Sequence, residues 1–126
     1  MEDKRLKATA RLLEVMNTLR RECPWDREQT FDSLRSNTIE ETYELADAIT
    51  DHNMEGIKEE LGDLLFALVN ACRLYGVDPE SALERTNKKF IQRFNYMEER
   101  AAAKGHTLHE MSLGAMEELW QEAKRN

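Results

Sequence analysis

Glycine and proline are scarce, five and two among 126 residues. So few turn formers exclude a many-stranded sandwich or barrel, and they leave no Gly-rich phosphate loop of the Walker or dinucleotide type. No uninterrupted apolar run exceeds Leu64 to Val69, far short of the roughly 20 residues that span a bilayer. No membrane partner is therefore expected. Behind the charged start Met-Glu-Asp-Lys-Arg no apolar stretch is long enough for a signal peptide. The two cysteines, Cys23 and Cys72, lie far apart and read as reduced thiols of a cytoplasmic protein. Bases are in deficit as well: 18 against 25 acids, net −7, which argues against bulk electrostatic binding to nucleic acid or an anionic membrane.

What is present is helical periodicity. The length fits a single domain, residues 1–126, with a radius of gyration of roughly 14 Å when compact. Leu6, Ala10, Leu13, Met16 and Leu19 recur at spacings of three and four, predicting a helix over about 4–20. Cys23-Pro24-Trp25-Asp26 ends it, and a short turn or helix follows over 30–35. A capping-box pattern at Thr38 to Glu41 predicts the start of the next helix, which ends near 50–52. Asn53 can cap another, stopped by Gly76. Its stretch Leu64 to Val69 is apolar all round, which predicts a helix enclosed by others. Asp78-Pro79 reads as N-cap and first helical residue. The following stripe of Leu83, Phe90, Phe94, Met97 and Ala101 runs to Gly105, about 39 Å of helix. Such a length exceeds the expected globule radius and suggests packing on a second subunit. Ser112 can cap a last helix over 113–124. No strand pattern occurs, so the class is all-α: a four- to five-helix bundle subunit, oligomerising through long helices.

Acidity is concentrated. Residues 37–63 hold nine acids and one base, Lys58, for a local net charge of −8. Glu41 and Glu44 lie three apart on one helix, Glu60 and Asp63 three apart on the next. The connection is short, so the helices should be antiparallel neighbours whose carboxylates converge. Two carboxylates about 5.5 Å apart repel by roughly 3 kcal/mol at an effective dielectric near 20, so convergence needs protons or a cation. Hard oxygen ligands suit Mg²⁺, with Mn²⁺ as a possible substitute. The plain alternative is a solvated helix face carrying Glu40, Glu41, Glu44 and Asp47. A di-iron bundle needs Glu-x-x-His pairs; residues three before His52, His106 and His109 are Ile49, Ala103 and His106.

The long helix after Pro79 carries Arg85, Lys88, Lys89 and Arg93, with Lys89 and Arg93 spaced i,i+4. A charge run is usually a solvated face. Beside a cation site it also suits a polyphosphate, whose remaining oxygens need Lys or Arg. Trp25 and Trp120 could each stack a base, although core packing is the plainer reading.

These residues, in order, resemble the MazG family of nucleoside triphosphate pyrophosphohydrolases. The family pattern Glu-Glu-x-x-Glu, spacer, Glu-x-x-Asp is met by Glu40-Glu41-x-x-Glu44 and Glu60-x-x-Asp63. Cys23 to Thr30, Gly62 to Phe66, Asn87-x-Lys89-Phe90-x-x-Arg93-Phe94 and Trp120-x-x-Ala123-Lys124 resemble its flanking segments. Phe31 and Ser36 stand where the family often has His and Pro. The resemblance implies Mg²⁺-dependent hydrolysis of a nucleoside triphosphate between the α and β phosphates, giving a monophosphate and pyrophosphate. It implies Glu41, Glu44, Glu60 and Asp63 as metal ligands, and Glu40 with Glu41 as the carboxylates acting on water. Asn87, Lys89 and Arg93 would face substrate, with Trp25 a candidate beside them. It further implies a homodimer or dimer of dimers. Two alternatives stay open: a narrower all-α pyrophosphatase acting on dUTP, dCTP or phosphoribosyl-ATP, and a non-catalytic helical interaction module.

Overall fold

A computed structural model describes residues 3–126, the side chain of Asp26 excepted; the first two residues of the charged start lie outside this set. Six α-helices follow one another: α1 (Lys4–Glu22), α2 (Pro24–Glu28), α3 (Phe31–Thr50), α4 (Met54–Leu74), α5 (Pro79–Ala103) and α6 (Leu113–Arg125), with one 3-10 turn at Leu108–Glu110. Among the described residues there is no strand, as the missing period-two pattern predicts. The chain forms two compact units, Met1–Pro79 and Glu80–Asn126.

In the first unit, α3 and α4 lie along each other and α1 touches α4 and α2. The start of α3 differs from expectation. Thr30, not Thr38, is its N-cap, in a reciprocal box: Ser33 N–H donates to Thr30 Oγ1 (3.1 Å) and Thr30 N–H to Ser33 Oγ (2.9 Å). Nothing between Phe31 and Thr50 breaks the helix, since neither Gly nor Pro occurs there. The Thr38 hydroxyl instead donates back to the Leu34 carbonyl at 2.9 Å, a bond a mid-helix threonine can make without interrupting the ladder. Glu41 is thereby released from a capping role.

The turn from α3 to α4 takes three residues. His52 adopts φ 55°, the left-handed conformation that reverses the chain. Asn53 then caps α4, its Oδ1 accepting from Gly56 N–H at 3.1 Å. Gly76, at φ 78°, closes the end of α4. The N-caps read from sequence at Asn53 and Ser112 and the stops read at Gly76 and Gly105 all sit at helix ends.

Burial departs further from expectation. Met16, Leu34 and Ala71 are the buried apolar residues of the first unit, with Asn70 buried beside Ala71. The all-round apolar stretch of α4 is not enclosed: Leu65 is 62 % exposed, and Phe66 and Leu68 are exposed too. On α3, Tyr43 is 67 % exposed and Ile39 and Ile49 are open. The physical reason is supply: α4 packs on α3, meets α1 only lightly, and the unit holds no further helix to cover its other faces.

The second unit pairs α5 with α6. Met97, Leu119 and Ala123 form its core, with Tyr96, Leu108, Met111, Met116 and Trp120 packed against them. The Tyr96 hydroxyl donates to Glu122 Oε1 at 2.6 Å, and Arg100 Nε lies 3.5 Å from the same oxygen. Of the stripe read on α5, Met97 and Ala101 are buried, whereas Leu83, Phe90 and Phe94 are exposed.

Candidate functional site

The α3–α4 hairpin brings the two acidic pairs together. One oxygen from each of Glu41, Glu60 and Asp63 lies within 4.8 Å of the others. The cause is local: each pair occupies one helical face, and a three-residue turn forces the two helices side by side. Glu41 and Glu60 are half-buried and Asp63 is exposed. Glu44, the fourth carboxylate read from sequence, is not in the close trio, but its charge acts on both Glu41 and Glu60.

The electrostatics of this cluster are uncompensated. Glu41 Oε2 and Glu60 Oε2 are buried and accept no hydrogen bond. No Lys, Arg or His among the described residues forms an ion pair with any of the four carboxylates. Burial, followed by the charges of Glu44, Asp63 and Glu40, raises the Glu41 carboxyl above its ordinary value. Burial, followed by Glu44, Asp63 and Glu59, does the same for Glu60. Carboxylates held this way favour a proton or a cation, and a trio of hard oxygens with one open side fits a divalent ion such as Mg²⁺. Glu40 is exposed and adds its charge to Glu41.

The second unit holds a basic cavity of about 340 Å³ lined by Lys89, Gln92, Arg93, Tyr96, Lys124 and Asn126. Trp120 stands beside it within reach of two of its cations, with Arg93 Cζ 5.6 Å and Lys124 Nζ 5.8 Å from its ring centroid. Phe90 packs on the same ring at 5.9 Å. Lys89 and Arg93 therefore share a cavity, as their i,i+4 spacing implies. Lys124 is a member that sequence reasoning missed; its signal was the i,i+4 spacing to Trp120. Asn87 is exposed and does not line this cavity. Trp25 is 48 % exposed on α2 and so is not a core residue.

A family model, the MazG nucleotide pyrophosphohydrolase domain, matches residues 29–97, more than half of the chain and all four carboxylates. The chain belongs to this family. Among curated relatives, the MazG nucleoside triphosphate pyrophosphohydrolase/pyrophosphatase of Thermotoga maritima is 44% identical over 85 residues, 68% of this chain and 32% of its own length. The nucleoside triphosphate pyrophosphohydrolase of Escherichia coli K12 is 40% identical over 94 residues, 75% of this chain and 35% of its own. YabN of Bacillus subtilis, an uncharacterized protein, is 51% identical over 79 residues, 63% of this chain and 16% of its own. The chain thus spans about a third or less of the length of these relatives. Its fold is similar over nearly its whole length to the crystal structure of a MazG-related protein from Thermotoga maritima, with a TM-score of 0.69 and 29% identity, covering 93% of this chain and 99% of that one. The MazG match includes Asn87, Lys89 and Arg93 and leaves out Trp25, Trp120 and Lys124.

Proposed function

We propose that this chain, acting as one MazG-like domain, hydrolyses nucleoside triphosphates to nucleoside monophosphate and pyrophosphate with Mg²⁺ as cofactor. The carrying observation is the trio of Glu41, Glu60 and Asp63 within 4.8 Å, with no ion pair to a Lys, Arg or His among the described residues. Family membership and the pyrophosphohydrolase names of its relatives support the reaction class. Glu41, Glu60 and Asp63 hold the metal, and Glu44 completes the set from beside Glu60. Mn²⁺ offers the same ligand preference.

A bound divalent ion supplies positive charge for phosphate oxygens and a water of lowered pKa. The chain's own groups do the rest. Glu40, exposed beside the cluster, orients the attacking water and accepts its proton. Lys89, Arg93 and Lys124 neutralise phosphate oxygens from their own cavity, an electrostatic contribution that needs no covalent chemistry. Asn87 is assigned to substrate on the resemblance alone, and Trp25 because an exposed indole can stack a base. The substrate is a free nucleotide rather than a nucleic acid, and the setting is cytoplasmic. No helix among the described residues is long and apolar enough to cross a membrane.

The protein works as a homodimer or a dimer of dimers. The exposed apolar residues Tyr43, Ile49, Leu65 and Leu68 along α3 and α4 support this, because large apolar side chains left open in such number ordinarily mark an interface. The test is product analysis by ³¹P NMR over a panel of NTPs and dNTPs with Mg²⁺. Pyrophosphate is the expected product. None from any nucleotide would overturn the proposal, and orthophosphate would move the cleaved bond. Cleavage confined to dUTP, dCTP or phosphoribosyl-ATP would establish the narrower enzyme.

A further inference from the structure

Away from the carboxylates, the first unit holds a second cavity, of about 260 Å³, lined by Arg20, Arg73, Gly76, Val77, Asp78 and Pro79. Arg73 is half-buried and donates from Nη1 to Asn17 Oδ1 at 3.1 Å. Its Nε is buried and has no hydrogen-bond partner. Neither Arg20 nor Arg73 forms an ion pair among the described residues. Basic residues are ordinary in the last turns of α1 and α4, where they complement the helix dipoles. That accounts for their presence but not for a buried guanidinium donor left unsatisfied, which is costly, or for two cations sharing one cavity whose lining includes a single carboxylate, Asp78.

We propose that this cavity is an oxyanion site, in which Arg20 and Arg73 bind inorganic phosphate or a small anion of the same chemistry. A planar guanidinium presents parallel N–H donors that match a tetrahedral oxyanion, and charge-assisted bonds of this type are the strong ones. Asn17 holds Arg73 by Nη1; Nε is enclosed and unsatisfied, so a ligand in the cavity meets the guanidinium charge rather than Nε itself. The volume accommodates an anion with a few waters and falls below the usual range for a whole nucleotide. Arg73 lies ten residues beyond Asp63 on α4, about 15 Å along the helix. The site is therefore separate from the carboxylates and independent of the hydrolysis they are proposed to perform.

The experiment observes the arginine Nε–Hε signals by ¹H–¹⁵N NMR while the metal-free protein is titrated with inorganic phosphate at chloride-matched ionic strength. Arg73→Lys assigns the signal. The expected result is a saturable shift of the Arg73 signal that persists in Lys89→Gln, whose own basic cavity is thereby discounted. Arg20→Gln, at an exposed position that leaves folding intact, should weaken phosphate binding at Arg73 about ten-fold or more. An Arg73 signal that does not move, or one that moves equally in Arg20→Gln, overturns the proposal. Pyrophosphate and adenosine monophosphate serve as comparison ligands. Equal or weaker affinity for the nucleotide supports a small-anion site, and markedly tighter nucleotide binding refutes it.

Discussion

Asp63→Asn isolates the electrostatics of the carboxylate cluster. The change keeps side-chain shape and removes one charge. With three oxygens mutually within 4.8 Å, three repulsive pairs become one. At that separation two unit charges interact by about 3.5 kcal/mol at an effective dielectric of 20 and by about 0.9 kcal/mol in water. Asp63 is exposed, so the screened end applies to both pairs it loses, and salt screening brings their sum to about 1 kcal/mol. For a chain of this size about 1 kcal/mol corresponds to roughly 3–4 °C in Tm, and the metal-free variant should melt about 3 °C above wild type. Mg²⁺ reverses the order. At one hundred times Kd it stabilises wild type by about 2.7 kcal/mol, roughly 10 °C. If loss of a ligand weakens binding about 100-fold, at the upper end of the range seen when ligand-supporting groups are removed, about 0.4 kcal/mol of that gain survives. The assay is thermal melting by circular dichroism with and without MgCl₂, with pyrophosphate release measured on the same samples. A variant that melts below wild type without metal and keeps the full Mg²⁺ shift would refute both the repulsion and the metal assignment. Wild-type turnover in it would show the site to be elsewhere.

Four further outcomes are expected. Lys124→Gln should raise KM for a nucleoside triphosphate several-fold while leaving the Mg²⁺-induced melting shift unchanged, since Lys124 lines the basic cavity and is not one of the clustered carboxylates; steady-state kinetics beside melting curves checks both halves. Met16→Ala empties the one fully buried large side chain among the described residues and should cost about 2–5 kcal/mol, read by urea denaturation. Gly76→Ala meets no atom within 4 Å but must adopt φ +78°, so its cost is backbone strain of about 1 kcal/mol, measured the same way. The Tyr96 hydroxyl, ahead of the Arg100 charge, lowers the Glu122 carboxyl below its ordinary 4.5. A carboxyl depressed in the folded state contributes stability above its unfolded value and loses it as pH falls toward the folded one. Tyr96→Phe should therefore melt below wild type at neutral pH, with the gap closing below about pH 4.5; a gap that widens on acidification would contradict this sign.

Much of this architecture is legible in the order of residues, because local signals act locally. The scarcity of glycine and proline, the 3.6-residue stripes and the caps at Asn53 and Ser112 each depend on neighbours within one turn, and the all-helical class follows from them. Thr38 shows where local reading fails. Its capping-box pattern competes with that of Thr30, and an unbroken helix across both is settled by Thr30 and Ser33 satisfying each other first. The i,i+3 spacing of Glu41 with Glu44 and of Glu60 with Asp63 made the acidic pairs visible. Which three carboxylates approach most closely was not, because that depends on how α3 and α4 are rotated against each other.

What the sequence alone determined is therefore the helical class, the site's residue types and the −8 charge confined to residues 37–63. Only the tertiary structure decided that Glu41, Glu60 and Asp63 form the trio while Glu44 stands beside it, that Lys124 joins Lys89 and Arg93, and that Leu65 and Tyr43 remain open. It also brought Arg20 and Arg73 to one cavity across 53 residues of chain. Helical periodicity assigns each side chain to a face of its own helix. Distances between helices arise from packing, which no single segment encodes.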